Sequence, residues 1–218
     1  SLLKVKDFYK NSFLFNFLPS SYWWLANMLL KELNGMRSIL DLGCGPDSLL
    51  RLIPPEVYKE GIDIFPGYLT QSKAKNIHHK YRLFDIRNLD YPAKSFDAVI
   101  AIDVIEHLSK NEGLKLITDM ERIAQKKIIV CTTNGFLPQE AYNENESQIH
   151  QSGWNVRELK ELGFSVRGLY GWKRLRGERG SIKFKPTWLW EVISAITQKF
   201  VYRHPGLAHQ LFCVKITG

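Results

Sequence analysis

Short apolar runs alternate with amphipathic segments through the middle of the chain. The runs are rich in Ile, Val, Leu and Phe and are bounded by Gly, Asn, Asp or Pro, which is typical of buried strands. They predict seven strands, at 38–43, 58–64, 81–85, 96–103, 127–133, 164–170 and 209–216. The segments between them predict helices near 47–53, 67–75, 110–125 and 154–162. Strands that alternate with helices favour a mostly parallel α/β sheet with helices on both faces.

The predicted helix at 154–162 has the clearest boundaries. Asn155 or Ser152 can cap its N-terminus, and Gly163 can end it. Leu159 and Leu162 form its apolar stripe. This segment therefore predicts a short helix that packs on the sheet.

Two segments lie outside the alternation. Residues 11–30 carry no charge, but they include Pro19 and six Asn or Ser residues, so two short amphipathic helices within 7–33 are favoured over a membrane span. The second segment, 171–206, predicts another helix because apolar residues recur at helical spacing. These residues are Leu189, Val192, Ile193, Ile196 and Phe200.

The length and composition predict one domain. A chain of 218 residues with 44% hydrophobic residues can bury a single core of ordinary size. We predict four parts of this domain: an N-terminal helical cap (1–36), a cofactor-binding core (37–170), a basic and aromatic insertion (171–206) and the last strand (207–218).

The net charge of +8 is concentrated at the C-terminal end. Residues 1–166 hold 20 basic and 20 acidic residues, whereas residues 167–218 hold ten basic and two acidic residues. A solvated basic loop would explain this surplus, and so would an anionic partner such as a phosphorylated substrate, a membrane surface or nucleic acid.

The three cysteines favour a reducing compartment. Cys44, Cys131 and Cys213 lie in apolar or glycine-rich stretches, and their odd number suits neither a disulfide framework nor a zinc site. The N-terminus lacks the pattern of a secretory signal. We therefore expect a cytoplasmic location, with the aromatic and basic segments allowing peripheral contact with a membrane.

The glycine turn after the first strand predicts a ligand with a positive charge. Its sequence, Gly43-Cys44-Gly45, is followed by Pro46, Asp47 and Ser48, so the third glycine of a dinucleotide-binding turn is missing and the acidic Asp47 lies beside the turn. A pyrophosphate would also meet the carboxylate of Asp41, and no Gly-Lys-Ser or Gly-Lys-Thr follows for a P-loop. A carboxylate beside a turn that allows close approach suits an ammonium group attached to a nucleoside.

Five stretches carry a family resemblance. In order, "ILDLGCGPDS", "GIDI", "LFDIRNL", "FDAVIAIDVIEHL" and "SGWNVRELKELGFSVRG" resemble the class I S-adenosylmethionine-dependent methyltransferases, specifically the small-molecule type with D-x-G-C-G and D-V-I-E-H-L motifs. The likeness covers residues 37–170 and the last strand. It implies a Rossmann-like three-layer sandwich whose seven strands are ordered 3-2-1-4-5-7-6, with strand 7 antiparallel. It also implies S-adenosylmethionine as cofactor.

The resemblance assigns roles to the acids at the strand ends. Asp63, twenty residues after Gly43, is the ribose-binding acid, and a carboxylate there can accept from both ribose hydroxyls. Asp85 accepts from the adenine amino group unless it caps its own turn, and Asp103 packs against the methionine part. The full set of predicted cofactor-binding residues is Asp41, Gly43, Cys44, Gly45, Asp63, Ile64, Asp85, Ile86, Asp103 and Val104.

Two histidines are candidates for catalysis. Methyl transfer from a sulfonium is mainly a matter of positioning, and a base is needed only where the acceptor loses a proton. We rank His150 first because it lies in a loop that faces the acceptor in the family, and His107 second; a structural role stays open for both. No metal site is predicted, because "CTTNGF" at 131–136 lacks acids.

The acceptor side is less defined. Aromatic residues in the cap and the insertion, next to the basic loop, favour a small or lipid-like, anionic acceptor. These aromatic residues are Phe13, Phe15, Phe17, Tyr22, Trp23, Trp24, Trp172, Trp188 and Trp190. An RNA or protein methyltransferase that docks through the basic segment is the alternative, with nucleic acid the less favoured partner; a non-catalytic nucleoside-binding protein is a third possibility. The oligomeric state is left open.

Overall fold

The computed structural model describes residues 21–141, 145–177 and 180–218. Its seven strands are β1 (Ser38–Leu42), β2 (Tyr58–Asp63), β3 (Lys80–Leu83), β4 (Phe96–Ile102), β5 (Ala124–Thr133), β6 (Ser165–Trp172) and β7 (Ala208–Ile216). The α-helices in these residues are α1 (Ser21–Glu32), α2 (Pro66–Ala74), α3 (Lys110–Ile123), α4 (Val156–Glu161) and α5 (Thr187–Arg203).

The predicted sheet topology is confirmed. The strands form one sheet in the order β3-β2-β1-β4-β5-β7-β6. Neighbouring strands from β3 to β5 pair in parallel, and β7 is antiparallel to both of its neighbours. The carboxyl ends of β1, β2 and β4 therefore lie side by side at one edge of the sheet, where ligands of open α/β sheets bind.

Two hydrophobic clusters cover the two faces of the sheet. One contains Leu116 and Met120 of α3 together with the fully buried Trp154. The other contains Leu25 and Leu29 of α1. The three-layer sandwich follows from this burial of both faces.

Helix α5 packs on β6, the edge strand of the sheet. Its buried residues are Ser194, Gln198 and Val201, whereas Ile196 is 63% exposed and Phe200 is 53% exposed. The apolar spacing correctly predicts a helix, but the apolar stripe is not its buried face. Gln198 explains the difference: its side chain donates to the Gly168 carbonyl (3.0 Å) and accepts from the Gly171 amide (3.0 Å), which satisfies backbone groups at the sheet edge.

Several boundaries differ from those predicted. The helix expected at 47–53 is one 3-10 turn, Leu49–Leu52, capped by Ser48. Strand β5 begins at Ala124, so α3 ends earlier than expected. One of the two helices expected within 7–33 is α1, and residues 1–20 lie outside the described part of the chain.

Helix α4 is capped by Asn155, one of the two residues proposed. The Asn155 side chain accepts from the Glu158 amide, and Glu158 accepts from the Asn155 amide, which completes a capping box. Ser152 instead donates to the Ile105 carbonyl at 3.2 Å. Among the described helices, none is long and apolar enough to cross a membrane.

Candidate cofactor cleft and acceptor cavity

A cavity of about 460 Å³ lies over the carboxyl ends of the central strands. The structure brings all the predicted cofactor-binding residues to its wall: Asp41, Gly43, Cys44, Gly45, Asp63, Ile64, Asp85, Ile86, Asp103 and Val104. We call this cavity the cofactor cleft. Its volume is in the usual range of about 300–1,000 Å³ for small-molecule sites.

The glycine turn requires glycine for two different reasons. Gly43 has a φ of +64°, and a Cβ on it would lie 2.6 Å from a methyl carbon of Val104. Gly45 has a φ of +57°, and no atom lies within 4 Å of its Cβ position, so it faces open space in the cleft. The first glycine is therefore needed for packing, and the second lets a ligand approach the backbone closely.

Asp63 is held by the turn that it faces. Its carboxylate accepts from the Gly45 amide (2.9 Å) through Oδ2 and from the Phe65 amide (2.8 Å) through Oδ1. Burial raises the pKa of Asp63, and the two amide bonds oppose that rise. Each oxygen keeps a further lone pair, so the side chain can still accept from a diol in the cleft.

Asp41 has a partner that sequence reasoning missed. His78, from the loop before β3, has a fully buried side chain, and its Nε2 donates to Asp41 Oδ2 at 2.9 Å. The Ser48 hydroxyl donates to the same oxygen at 2.5 Å. A Cβ at Gly61 would lie 2.9 Å from the His78 ring, which explains a glycine inside β2. His78 is therefore a positioning residue for Asp41.

Asp85 caps its own turn at the wall of the cleft. It lines the cleft, and its side chain also accepts from the Arg87 amide at 3.0 Å, which caps the 3-10 turn Ile86–Asn88. The Arg87 guanidinium pairs with it at 2.7 Å and lowers the pKa of Asp85. Ile64 also lines the cleft and is 45% exposed.

Asp47 contributes less negative charge to the turn than the sequence suggests. Its carboxylate is ion-paired with Arg51 and, at 3.1 Å, with Lys75. Among the described residues, Asp41 and Asp63 are buried acids of the glycine turn region that form no ion pair with Lys or Arg.

A second cavity of about 320 Å³ adjoins the cofactor cleft, and we call it the acceptor cavity. Four residues line both cavities and define their junction: Asp103, His107, Gln148 and Tyr170. The other described residues of the acceptor cavity are Glu106, Thr133, Leu137, Gln139, His150, Gly180, His209 and Gln210.

Two junction residues have left-handed backbone conformations that side chains rarely adopt. Asp103 has a φ of +54° and Tyr170 a φ of +64°. Gln210 donates to Asp103 Oδ1 at 3.0 Å, and Arg176 donates to the Tyr170 carbonyl at 2.6 Å. Such strain costs about 1–3 kcal/mol per residue and persists where neighbouring contacts enforce it, often at functional sites.

The two candidate histidines are in contact. The rings of His107 and His150 are edge to face with centroids 4.7 Å apart. The Nδ1 of His150 donates to the Leu137 carbonyl at 2.6 Å, and the Nδ1 of His107 donates to the Ile149 carbonyl at 3.3 Å. Burial, and secondarily His150, lowers the pKa of His107 to about 4. His107 is therefore neutral at physiological pH, with its lone pair on Nε2.

Glu106 is a further titratable residue of the site. It is 1% exposed, and Thr132 donates to its Oε2 at 2.9 Å. Burial and the nearby charge of Asp103 raise the pKa of Glu106 to about 8, and enclosure by the cleft raises the pKa of Asp103 as well. The Glu-His dipeptide was a sequence signal for His107, but only the fold shows that Glu106 faces the same cavity.

Only some of the aromatic residues predicted for the acceptor side lie near the two cavities. Tyr22 lines the cofactor cleft, and Trp24 packs near Tyr202 with ring centroids 5.9 Å apart. Trp172, Trp188 and Trp190 line neither of the two cavities, and Trp188 is 67% exposed. Phe13, Phe15 and Phe17 lie outside the described residues.

Comparisons with known proteins agree with this geometry. Residues 40–131 match the family model described as "Methyltransferase domain". A human relative, "Probable tRNA methyltransferase 9B", is 32% identical over 110 residues, which is 50% of this chain and 24% of the relative. The chain thus spans about a quarter of that relative's length.

Two solved structures share the fold. An S-adenosylmethionine-dependent methyltransferase from Mesorhizobium loti aligns with a TM-score of 0.58 and 16% identity, covering 91% of this chain and 98% of that chain. Phosphoethanolamine N-methyltransferase 2 of Haemonchus contortus, in complex with S-adenosyl-L-methionine, aligns with a TM-score of 0.58 and 17% identity, covering 89% and 52%. The matched methyltransferase domain, the confirmed strand order and the acids around the glycine turn together support a class I S-adenosylmethionine-dependent methyltransferase, an enzyme whose cofactor is S-adenosylmethionine.

Proposed function

We propose that this chain transfers a methyl group from S-adenosylmethionine to a small acceptor held in the acceptor cavity. The observation that carries the proposal is the junction of Asp103, His107, Gln148 and Tyr170, which places two cavities side by side. Bound S-adenosylmethionine supplies an electrophilic methyl group on a positively charged sulfur. Catalysis then requires mainly that the acceptor lone pair be held in line with the methyl group.

The cofactor is proposed to lie along the acids of the cleft. Asp63 accepts from the ribose hydroxyls, Asp41 faces the ammonium group, and Ile64 covers one face of the adenine. In this structure Asp85 is paired with Arg87, so its proposed bond to the adenine amino group would be shared with that guanidinium. The ligand-facing acids also disfavour a pyrophosphate, which separates this site from a dinucleotide site.

We assign the proton-accepting role to His107 and a positioning role to His150. His107 lines both cavities, whereas His150 lines only the acceptor cavity and is bonded to Leu137 through Nδ1. A histidine of low pKa is a weak base, but an acceptor oxygen becomes strongly acidic once it has bonded to the methyl carbon. The neutral Nε2 of His107 is then basic enough to take the proton.

Two measurements test the proposal. Calorimetry with S-adenosylhomocysteine should give saturable binding, and a metabolite extract incubated with the protein and methyl-labelled S-adenosylmethionine should yield a labelled small product. His107→Gln should lower labelling by about 10²–10⁴-fold without changing cofactor affinity. His79→Gln, at an exposed site that lines neither cavity, is the control. Absence of cofactor binding would contradict the proposal, and binding without labelling would favour a non-catalytic nucleoside-binding protein.

A second candidate, an RNA acceptor, is supported by the name of the human relative and by exposed basic residues of the insertion. These residues are Lys173, Arg174, Lys183, Lys185, Lys199 and Arg203. Binding that depends on phosphate contacts weakens steeply with salt, by about 10³–10⁵-fold between 50 and 200 mM for six to ten contacts. Turnover that collapses over this range and requires RNA in the extract would favour the second candidate.

A further inference from the structure

We infer that the acceptor cavity binds an uncharged, hydroxyl-rich molecule of about monosaccharide size. This inference rests on the proposed function and goes beyond it by naming the acceptor class. It follows from the size, the polarity and the charge balance of the cavity.

The cavity is small and polar. Its volume of about 320 Å³ is at the lower end of the range for small-molecule sites. Among its described lining residues, only Leu137 and Gly180 lack a polar side chain. A lipid-like acceptor would leave buried polar groups unpaired, at a cost of about 1–3 kcal/mol for each group. The lining therefore favours an acceptor with many hydrogen-bonding groups.

His209 is the strongest individual sign of a polar ligand. It is 7% exposed, and its ring makes no side-chain hydrogen bond with residues in the described ranges. Burial, then Arg176 and Lys183, lowers the pKa of His209 to about 4, so the ring is neutral. A neutral imidazole offers one donor and one acceptor, which matches a hydroxyl group.

The charged groups around the cavity disfavour both an anionic and a cationic acceptor. At the junction, the carboxylate of Asp103 would repel an anion, and no Lys or Arg is present among the lining residues that the structure describes. Beside His209, the positive charges of Arg176 and Lys183 disfavour a cation. A cationic acceptor would also approach the positive sulfur of the methyl donor. An uncharged acceptor avoids all three repulsions.

The proposed reaction is O-methylation. The acceptor oxygen bonds to the methyl carbon as the carbon–sulfur bond breaks, and the electron pair of that bond goes to sulfur. The hydroxyl proton goes to Nε2 of His107. The products are a methyl ether and S-adenosylhomocysteine, and His107 returns its proton to water.

The test compares polyhydroxylated six-membered rings that differ in charge. The full chain is saturated with S-adenosylhomocysteine, and saturation-transfer NMR titrations are run with D-glucose, myo-inositol, D-glucuronate and D-glucosamine at pH 7. We expect at least one neutral probe to bind with a Kd of about 1–10 mM and the charged probes to bind at least tenfold more weakly. Equal or tighter binding of a charged probe, or no saturable binding of either neutral probe, would overturn the inference.

A matched pair of variants locates the binding. His209→Phe should weaken binding of the neutral probe at least fivefold, whereas His204→Phe, exposed at the end of α5, should leave it unchanged. Affinity for S-adenosylhomocysteine should stay unchanged in both, and this readout separates failure of the acceptor class from failure of the proposed function. If His209→Phe does not fold, Gln139→Leu serves in its place with the same expected loss. Unchanged binding in the folded variant would refute the assignment.

Discussion

The carboxylate of Asp63 connects the ligand site to the glycine turn. One oxygen holds the Gly45 amide and the other holds the Phe65 amide, so the side chain is oriented before a ligand arrives. Preorganisation of this kind spares a ligand part of the entropy cost of ordering the site.

Replacing Asp63 by Asn should weaken cofactor binding. The substitution keeps the shape but removes the charge and one acceptor, so charge-assisted bonds worth about 1.5–3 kcal/mol are lost. We expect the Kd for S-adenosylhomocysteine to rise about 10–100-fold by calorimetry. Asp90→Asn, an exposed acid that pairs with Arg82 and lines neither cavity, should have no effect. An unchanged affinity of Asp63→Asn for S-adenosylhomocysteine would contradict the assignment of Asp63 to the ribose hydroxyls.

Glu106 should make stability depend on pH. Its pKa is about 8 in the folded chain and near 4.3 in the unfolded chain, so the folded state holds the extra proton between these values. The stability that Glu106 contributes is therefore complete below about pH 4.3 and is lost as the pH rises through about 8.

Urea unfolding at pH 5 and pH 9 measures this loss. Glu106→Gln stays neutral, so its free energy of unfolding relative to wild type should increase over that range by about 1–3 kcal/mol. The lowered pKa values of His107 and His209 make stability change with pH in the opposite direction. Both histidines are present in both proteins, so their contributions cancel in the difference. Glu140→Gln, at an exposed site, should follow the wild type. A constant difference would show that Glu106 is ionised when folded.

At the level of elements, the turn after β1 is short and closely packed. A single 3-10 turn replaces the predicted helix, and Ser48 both caps it and donates to Asp41. The turn therefore depends on the conformation of Gly43 more than on helix formation.

Two glycine substitutions separate backbone strain from crowding. Gly35 and Gly43 both have positive φ, at +78° and +64°, but no atom lies within 4 Å of a Cβ on Gly35. Gly35→Ala should cost about 1 kcal/mol of unfolding free energy and leave cofactor affinity unchanged. Gly43→Ala should lower the free energy of unfolding by about 2–4 kcal/mol and weaken cofactor binding, because the new methyl group also displaces Val104. Equal costs in urea unfolding would contradict the crowding argument.

Helix α5 stabilises the sheet through one amide side chain. Gln198→Leu leaves the Gly168 carbonyl and the Gly171 amide unpaired, so the free energy of unfolding should fall by about 2 kcal/mol. Lys199→Leu, one residue further along and exposed, should change it by less than about 0.5 kcal/mol. A similar loss in both variants would show that the loss does not come from the sheet edge.

For the whole molecule, the cofactor cleft is assembled from four strand ends and exists only in the folded chain. A ligand that binds only the folded state stabilises it by about 2.7 kcal/mol at 100 times its Kd. For a domain of this size the melting temperature should rise by about 5–10 °C with S-adenosylhomocysteine. NADH at the same concentration should give no rise, and a rise with NADH would indicate a dinucleotide site instead.

Much of the site could be predicted because its signals are local in the sequence. Gly43 and Gly45 follow β1 and Asp63 ends β2, and the parallel sheet brings those strand ends together. His78, His209 and Tyr170 were not predicted as site residues. No local pattern marks them, since each reaches its partner across a separate element.

The sequence by itself determined the alternation of strands and helices, the glycine turn and the order of acids, because these depend on periodicity and on residues close along one strand and turn. Only the tertiary structure decided which face of α5 is buried, that Asp41 pairs with His78, and that Glu106, His107 and His209 line one cavity. These features depend on burial and on contacts between residues 27 to 107 positions apart, such as Gly171 with Gln198 and Asp103 with Gln210, and such contacts are set by packing of the whole sheet.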